Sequence, residues 1–400
     1  MVDLDSIYRI ALENAAAVKT YRKRFLYEEI KKKLAVKGKI PALLISGLRG
    51  VGKTTLLLQI FDGQNEAHYF SADSILVRTS TLYAVVEQLY RSGYKTIFID
   101  EIHSYPRWVE ELKNIYDNFD VQIIASGSSV ASIRKGSLLL GRRALDMVLP
   151  PLTFGEFLYL REGYQYQAKL PDVFNQKSTF HWLAEHPSVE KYYREYLATG
   201  GFPLRIEETG VIFKLTRRMI YEDALAEFNL TKNKVDLADK ILAFLSISTL
   251  GEFSYTSFSS FSGYAKSSVY EAVHMLKELG IIDIIEEETP KSKAKGTIKL
   301  LFSHPNLRLA FASQLLQEAG VGALREEYFI FHLRYLGLPV FVPKHGKKNP
   351  DYEVYINNKR MLFEIGGKSK GSQQLEGKEG IILNDLQLQV LGFVQKTDQK

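Results

Sequence analysis

Short apolar runs alternate with helical stretches between residues 41 and 150. Ala42–Ser46, His68–Phe70, Thr96–Asp100, Gln122–Ala125 and Leu145–Leu149 read as strands, with Leu82–Tyr90 and Val109–Tyr116 as helices between them. Near-continuous apolar strands separated by helices predict a parallel sheet covered on its faces. Residues 1–40 read as two helices leading into the first strand. At Leu149-Pro150-Pro151-Leu152 the pattern changes, and from Phe154 to about Asn233 it is helical and aromatic, broken at Thr199-Gly200-Gly201-Phe202-Pro203. A further unit runs from about Asp236 to Phe311. The turn Gly320-Val321-Gly322 opens a last stretch of mixed α/β character.

The first strand is followed by Gly47-Leu48-Arg49-Gly50-Val51-Gly52-Lys53-Thr54 and then by the helical run Thr55-Leu56-Leu57-Leu58-Gln59-Ile60. The pattern G-x-x-x-x-G-K-[ST] between a strand and a helix is that of a phosphate-binding loop. Its glycines let backbone N–H groups close around a phosphate, and the helix N-terminus adds a favourable dipole. The loop residues Gly47, Leu48, Arg49, Gly50, Val51, Gly52, Lys53, Thr54 and Thr55 are therefore candidate ATP contacts. Lys53 is expected to reach the β- and γ-phosphates, and the Thr54 hydroxyl to ligate Mg²⁺.

The strand Thr96-Ile97-Phe98-Ile99-Asp100-Glu101 ends in two acids 47 residues after Lys53. Alone that is a weak signal; behind a complete phosphate loop it is a strong one. Asp100 is a candidate Mg²⁺ ligand and Glu101 the candidate general base for water. In Gln122-Ile123-Ile124-Ala125-Ser126-Gly127-Ser128-Ser129, Ser126 and Ser128 are candidate sensors of the γ-phosphate, or caps of the next helix. Gly141-Arg142-Arg143 offers a guanidinium for the transferring phosphoryl group, in cis or from a neighbouring subunit, with Arg142 the catalytic candidate. His103 either orients Glu101 or is structural.

Composition narrows the classes. The 400 residues include no cysteine, which excludes disulfides, thiol nucleophiles and thiolate metal sites and fits a cytoplasmic protein. No apolar run reaches the ~20 residues of a membrane helix, and no secretory signal is visible, so no membrane partner is expected. The net charge is +6, yet Lys19–Lys39 alone holds nine basic residues against Glu28 and Glu29. That is either a nucleic-acid arm or a solvated helix face, because Phe25, Leu26, Ile30 and Leu34 recur at helical spacing.

The chain resembles a prokaryotic ATPase family of the AAA-related, additional-strand P-loop class, whose members join an N-terminal ATPase to a C-terminal region of unknown function. The resemblance rests on Ser46–Thr55, Ile99-Asp100-Glu101-Ile102-His103, Ala125–Ser129, Leu140–Arg143, Leu149-Pro150-Pro151-Leu152-Thr153-Phe154-Gly155-Glu156-Phe157 and Gly200-Gly201-Phe202-Pro203. It implies an α/β P-loop fold that binds ATP, followed by a winged helix and a nuclease-like fold. The expected domains are residues 1–152 (ATPase), 153–235 (helical), 236–318 (winged helix) and 319–400 (restriction-endonuclease-like).

The residues of the C-terminal half support that outline. Ile241–Ser248, Tyr255–Phe261 and Lys266–Leu279 read as three helices, with Ile281–Glu286 and Thr297–Phe302 as a wing carrying Lys291, Lys293 and Lys295 near its tip. Lys266, Ser267, Ser268 and Tyr270 are expected to face DNA, while Glu271 on that surface opposes it. Further on, Arg325–Phe329 opens a helix, Asn349-Pro350-Asp351 leads the strand Tyr352–Ile356, and Met361–Ile365 follows the turn Asn357-Asn358. Nucleases of this type hold Mg²⁺ between such acids, here Glu327, Asp351 and Glu364, with a lysine two residues beyond the last. That position is Gly366, and Lys368 lies further along, which favours a fold kept for binding over an active one. The leading function is an ATP-hydrolysing switch or motor coupled to DNA; the alternatives are an ATP-regulated nuclease and a regulator that binds a partner protein.

Overall fold

The computed structural model describes residues 3–36, 38–204, 209–228, 232–249, 252–288, 298–343, 350–366 and 380–396. The chain divides into two compact units, Met1–Pro151 and Leu152–Lys400.

The first unit is built on five parallel strands: β1 (Ala42–Ser46), β2 (Ala67–Ser71), β3 (Thr96–Asp100), β4 (Gln122–Gly127) and β5 (Ala144–Val148), in the order β2-β3-β4-β1-β5. β4 is the additional strand between β1 and β3. Every residue of β1 is buried, as a strand covered on both faces requires. The helix Leu82–Arg91 shows how sequence sets this packing. Thr81 caps it through the Ala84 N–H, and Leu82, Val85, Val86 and Leu89 recur at helical spacing on its buried face. The helix Val130–Leu140 comes so close to Trp108 that a Cβ on Gly136 would lie 2.0 Å from the indole. Because all five strands are parallel, their C-terminal ends share one edge of the sheet, where ligands bind in open α/β folds.

The second unit holds two sheets. One is three-stranded, β6 (Glu252–Phe253), β7 (Ile282–Glu286) and β8 (Ile298–Phe302), in the antiparallel order β6-β8-β7. It accompanies the helices Lys232–Ile247, Tyr255–Ser262 and Lys266–Glu278. The other contains β9 (Val340–Phe341), β10 (Tyr352–Ile356), β11 (Lys359–Ile365) and β12 (Gly380–Leu383), ordered β12-β11-β10-β9. The boundaries expected at 235/236 and 318/319 fall inside this unit. One apolar cluster runs through Phe154, Trp182, Tyr196, Ile285, Leu301, Phe329, Phe363 and Phe393, so these segments share a core.

The break at Gly200-Gly201 seats the helical segment against the helix Pro305–Gln314. Asn306 accepts the Gly201 N–H at 2.6 Å and donates to the carbonyls of Tyr196 and Leu197, and a Cβ on Gly201 would lie 2.2 Å from the His304 ring. The Asn306 N–H donates to His304 Nδ1, so His304 Nε2 is the donor to the Tyr196 hydroxyl, which donates on to the Leu152 carbonyl. His332 is also buried: it accepts the Phe154 N–H and hydrogen-bonds the Tyr328 carbonyl. Burial holds His304 well below the usual imidazole range and His332 down at about 3.

Both are therefore neutral when folded and take up protons only on unfolding. Their stabilisation is complete above the ordinary value of about 6.5 and is lost as pH falls toward 3. Buried Glu327, pushed up to about 7 by desolvation, works the other way: its share is present below its ordinary 4.5 and lost as pH rises through 7. His304 and His332, joined by His68 that burial holds at about 4, outweigh the raised carboxyls of Glu327, Glu326 and Asp283, so urea unfolding at pH 5.5 is expected to show roughly 1 kcal/mol less stability than at pH 6.5. Equal stabilities at the two pH values would refute this assignment of buried neutral histidines.

Candidate functional site

The loop leaving β1 is shaped by two left-handed glycines, Gly50 (φ 87°) and Gly52 (φ 93°). Gly52 also stands at the N-cap of the helix Lys53–Asp62 and supplies no side chain to cap it, which leaves the first N–H groups for an anion. Gly47 is held to glycine for a different reason: a Cβ there would lie 2.3 Å from the Leu149 carbonyl oxygen, where the chain leaving β5 passes. Leu48 and Val51 anchor the loop in the core. Arg49 and Thr55 are half-buried on the loop and the first helical turn. Beneath the loop, buried Arg24 donates to the carbonyls of Val51 and Pro150. The Lys53 ammonium lies within the loop, donating to the Gly47 carbonyl at 2.8 Å and the Leu48 carbonyl at 3.1 Å.

The acids ending β3 meet this loop from the neighbouring strands. Asp100 is buried, and its carboxylate gathers hydroxyl donors from three elements: Thr54 at 2.7 Å, Tyr69 at 2.9 Å and Ser126. Burial, then the adjacent carboxylate of Asp100, push the Tyr69 phenol far above its ordinary value, so it serves only as a donor. Glu101 sits in the left-handed region at φ 48°, costly for a residue with a side chain. That turn sends its carboxylate toward β4, where it accepts the Ser128 N–H at 3.2 Å. His103 Nδ1 lies 3.2 Å from the same oxygen, and His103 Nε2 is 3.3 Å from the Ser128 hydroxyl. Glu101, His103 and Ser128 thus form one cluster at the exits of β3 and β4.

A Mg²⁺ ion fits this donor set. The Thr54 hydroxyl and Asp100 carboxylate are hard oxygen donors already 2.7 Å apart, beside a loop shaped for phosphate.

Arg142, expected to act in cis or from a neighbouring subunit, is not brought to this site within its own chain. Ala144 of β5 pairs with Ala42, the first residue of β1, while the loop leaves β1 at its other end. Arg142 precedes β5 and is exposed at the opposite edge of the sheet, so register rules it out as a contact within its own chain. Arg143, at that same edge, makes a two-pronged hydrogen bond to Asp117 at 2.8 and 3.1 Å. Sequence reading missed Arg24 and Tyr69. Arg24 stood among nine basic residues, and only its burial singles it out; Tyr69 was one aromatic in an apolar strand.

In the second unit, Glu327 does not join Asp351. Adjacent helical residues point about 100° apart. Glu327 accordingly pairs with Arg308, and it is Glu326 that faces Asp351. Among the described residues no three His, Cys, Asp or Glu side chains are grouped to hold a metal. Lys368 and the wing residues Lys291, Lys293 and Lys295 lie outside the described residues.

Residues 39–158 match the model of a family described as "AAA domain". An uncharacterized protein of Methanocaldococcus jannaschii is 27% identical over 424 residues, covering 93% of this chain and 87% of that protein. Among solved structures, the Aeropyrum pernix ORC1 protein in complex with DNA is 15% identical with a TM-score of 0.27, covering 79% of this chain and 93% of its own. AMPPCP-bound DnaA from Aquifex aeolicus is 16% identical with the same score, covering 63% and 86%. Overlaps at that score constrain nothing here. No helix among the described residues is long and apolar enough to cross a membrane. Motif, strand order and family match all support an AAA-related P-loop domain in the N-terminal unit.

Proposed function

We propose that the chain binds ATP with Mg²⁺ at the end of β1, hydrolyses it, and uses the change of state as a switch or motor step coupled to DNA held by the C-terminal half. The observation that carries the first part is the assembly of loop, Lys53, Thr54 and Asp100 on one sheet edge. Lys53 donates to the neutral carbonyls of Gly47 and Leu48; β- and γ-phosphate oxygens would offer it charge-assisted acceptors. The N–H groups of the first turn of the helix Lys53–Asp62, which no side chain caps, would face the phosphates. Thr54 and Asp100 would hold Mg²⁺, which when bound neutralises charge on the phosphate oxygens. Glu101 takes the proton of the attacking water, its carboxylate aimed by the Ser128 N–H and His103. Arg142, at the opposite sheet edge, can act only on the site of a neighbouring copy.

The DNA part of the proposal draws on the helix Lys266–Glu278. Lys266, Ser267 and Tyr270 are exposed on it, Ser268 is half-buried, and Val269, Val273 and Leu276 face inward. Glu271, which opposes a phosphate, is offset by the Lys234 ammonium at 2.8 Å. With the helices before it and the β7–β8 hairpin after it, this arrangement fits a winged helix. The Lys299 contacts described below favour an inert second sheet over a nuclease.

Calorimetry tests the ATP reading: the wild-type chain is expected to bind Mg²⁺–ATP, and Lys53→Ala to lose at least tenfold in affinity. Equal affinities would exclude Lys53 from the phosphate site. A DNA-binding titration that shows no dependence on salt, or none on Lys266, would remove the winged helix from the DNA contact.

A further inference from the structure

Lys299 projects from β8, the middle strand of the three-stranded sheet, and ends between Glu326 of the helix Val321–Tyr335 and Asp351, the residue before β10. Its ammonium is 3.4 Å from Glu326 Oε2 and 3.7 Å from Asp351 Oδ1, and lies 4.4 Å from the centre of the Tyr352 ring. The Lys299 and Glu326 side chains are each 11% exposed, Asp351 17%. The surrounding donors hold the acids in place: the Tyr352 hydroxyl donates to Glu326 Oε2 at 2.6 Å and the Ile365 N–H to Asp351 Oδ2 at 2.8 Å. Glu364, on the strand beside β10, is buried as well.

Glu326 and Asp351 converge on one point, and a cation, the Lys299 ammonium, is already there. We infer that Lys299 is a built-in plug, an internal ammonium that occupies the Glu326–Asp351 seat and keeps divalent ions out of it.

The plug does not swing. The Val342 N–H donates to the Glu286 carbonyl at 3.0 Å, joining β7 to the residue that follows β9. Arg334 pairs with Asp283 and donates to the Ile284 carbonyl, and the Tyr355 hydroxyl donates to Glu288 at 2.6 Å. Ile285 and Leu301 lie in the same apolar cluster as Phe329 and Tyr352. The strand that carries Lys299 is thus fixed against the elements that carry Glu326 and Asp351. The carboxylates are thereby kept as a structural ion pair between two sheets. A divalent ion that entered would leave the ammonium buried without its partners.

Titration calorimetry with Mn²⁺ alone, without nucleotide, tests this. The wild type should show no site that depends on Asp351. Lys299→Met keeps the stem and removes the charge, and it should gain a Mn²⁺ site at least tenfold tighter than any in the wild type. Lys299→Met/Asp351→Asn should lose the gain. Equal Mn²⁺ binding by wild type and Lys299→Met overturns the inference, as does Mn²⁺-dependent DNA cleavage by the wild type that Lys299→Met abolishes, since Lys299 would then be catalytic. Amine acetylation read by peptide mass spectrometry needs no variant: Lys299 should react at least tenfold more slowly than exposed Lys266, and equal rates would also overturn it.

Discussion

Glu101→Gln is expected to lower steady-state phosphate release from Mg²⁺–ATP by about a hundred- to ten-thousand-fold, the usual worth of a general base, while ATP affinity stays within about threefold. Glutamine is isosteric, and its carbonyl oxygen still accepts the Ser128 N–H that now fixes Glu101. The variant therefore changes the basicity of the group and little of its placement. The nucleotide cradle is built from other residues, with Lys53 in the loop and Thr54 beside Asp100, so ground-state binding is spared. Affinity by calorimetry and turnover by phosphate release separate the two effects. Unchanged turnover would exclude Glu101 as the base, and a matching collapse of affinity would show that its role is in holding the loop.

The parallel sheet was legible because buried strands write themselves as apolar runs. All five expected strands are present, with ends shifted by one or two residues where hydrogen bonding continues past the apolar run: β2 is Ala67–Ser71 against His68–Phe70, and β4 reaches Gly127. The phosphate loop was legible because its backbone shape demands glycine at fixed spacing. Long-range contacts left no local signal. Arg142 looked available because a sequence does not say which sheet edge a turn occupies; the pairing of Ala144 with Ala42 decides it. Sequence reading chose Glu327 rather than adjacent Glu326, and the roughly 100° between them sends Glu326 to Lys299 and Glu327 to Arg308. Lys299 itself read as a wing residue, since nothing near it in sequence carries the acids it meets. The shared core of residues 152–396 was hidden likewise, because helices around Phe154 and Tyr196 contact partners some 130 to 240 positions away.

Arg308→Met is expected to destabilise the protein by about 3 kcal/mol, the usual cost of breaking a buried ion pair from one side. Arg308 is fully buried in a short apolar-flanked helix, a placement only its partners make tolerable. Its Nε donates to Glu327 at 2.8 Å, and its Nη1 donates to the carbonyls of Leu245 and Ser248 at the end of the helix Lys232–Ile247. A cation there satisfies carbonyls that the helix leaves unpaired and complements its dipole. Glu327 in turn accepts the Phe302 N–H at 2.9 Å, so one ion pair binds two helices, the end of β8 and the helix Val321–Tyr335. Methionine fills the volume of the stem and supplies none of these donors. The deficit should grow with pH. Burial already holds the Glu327 carboxyl at about 7 against the pull of Arg308, and without the guanidinium it rises further. Stability from the protonated acid is then lost over a wider span, so urea unfolding of the variant falls further behind the wild type at pH 8 than at pH 6. Glu327→Gln in the same chain removes the stranded charge and should recover part of the loss. A deficit under about 1 kcal/mol, or one that Glu327→Gln deepens, would mean that the carbonyl contacts rather than the ion pair hold this junction together.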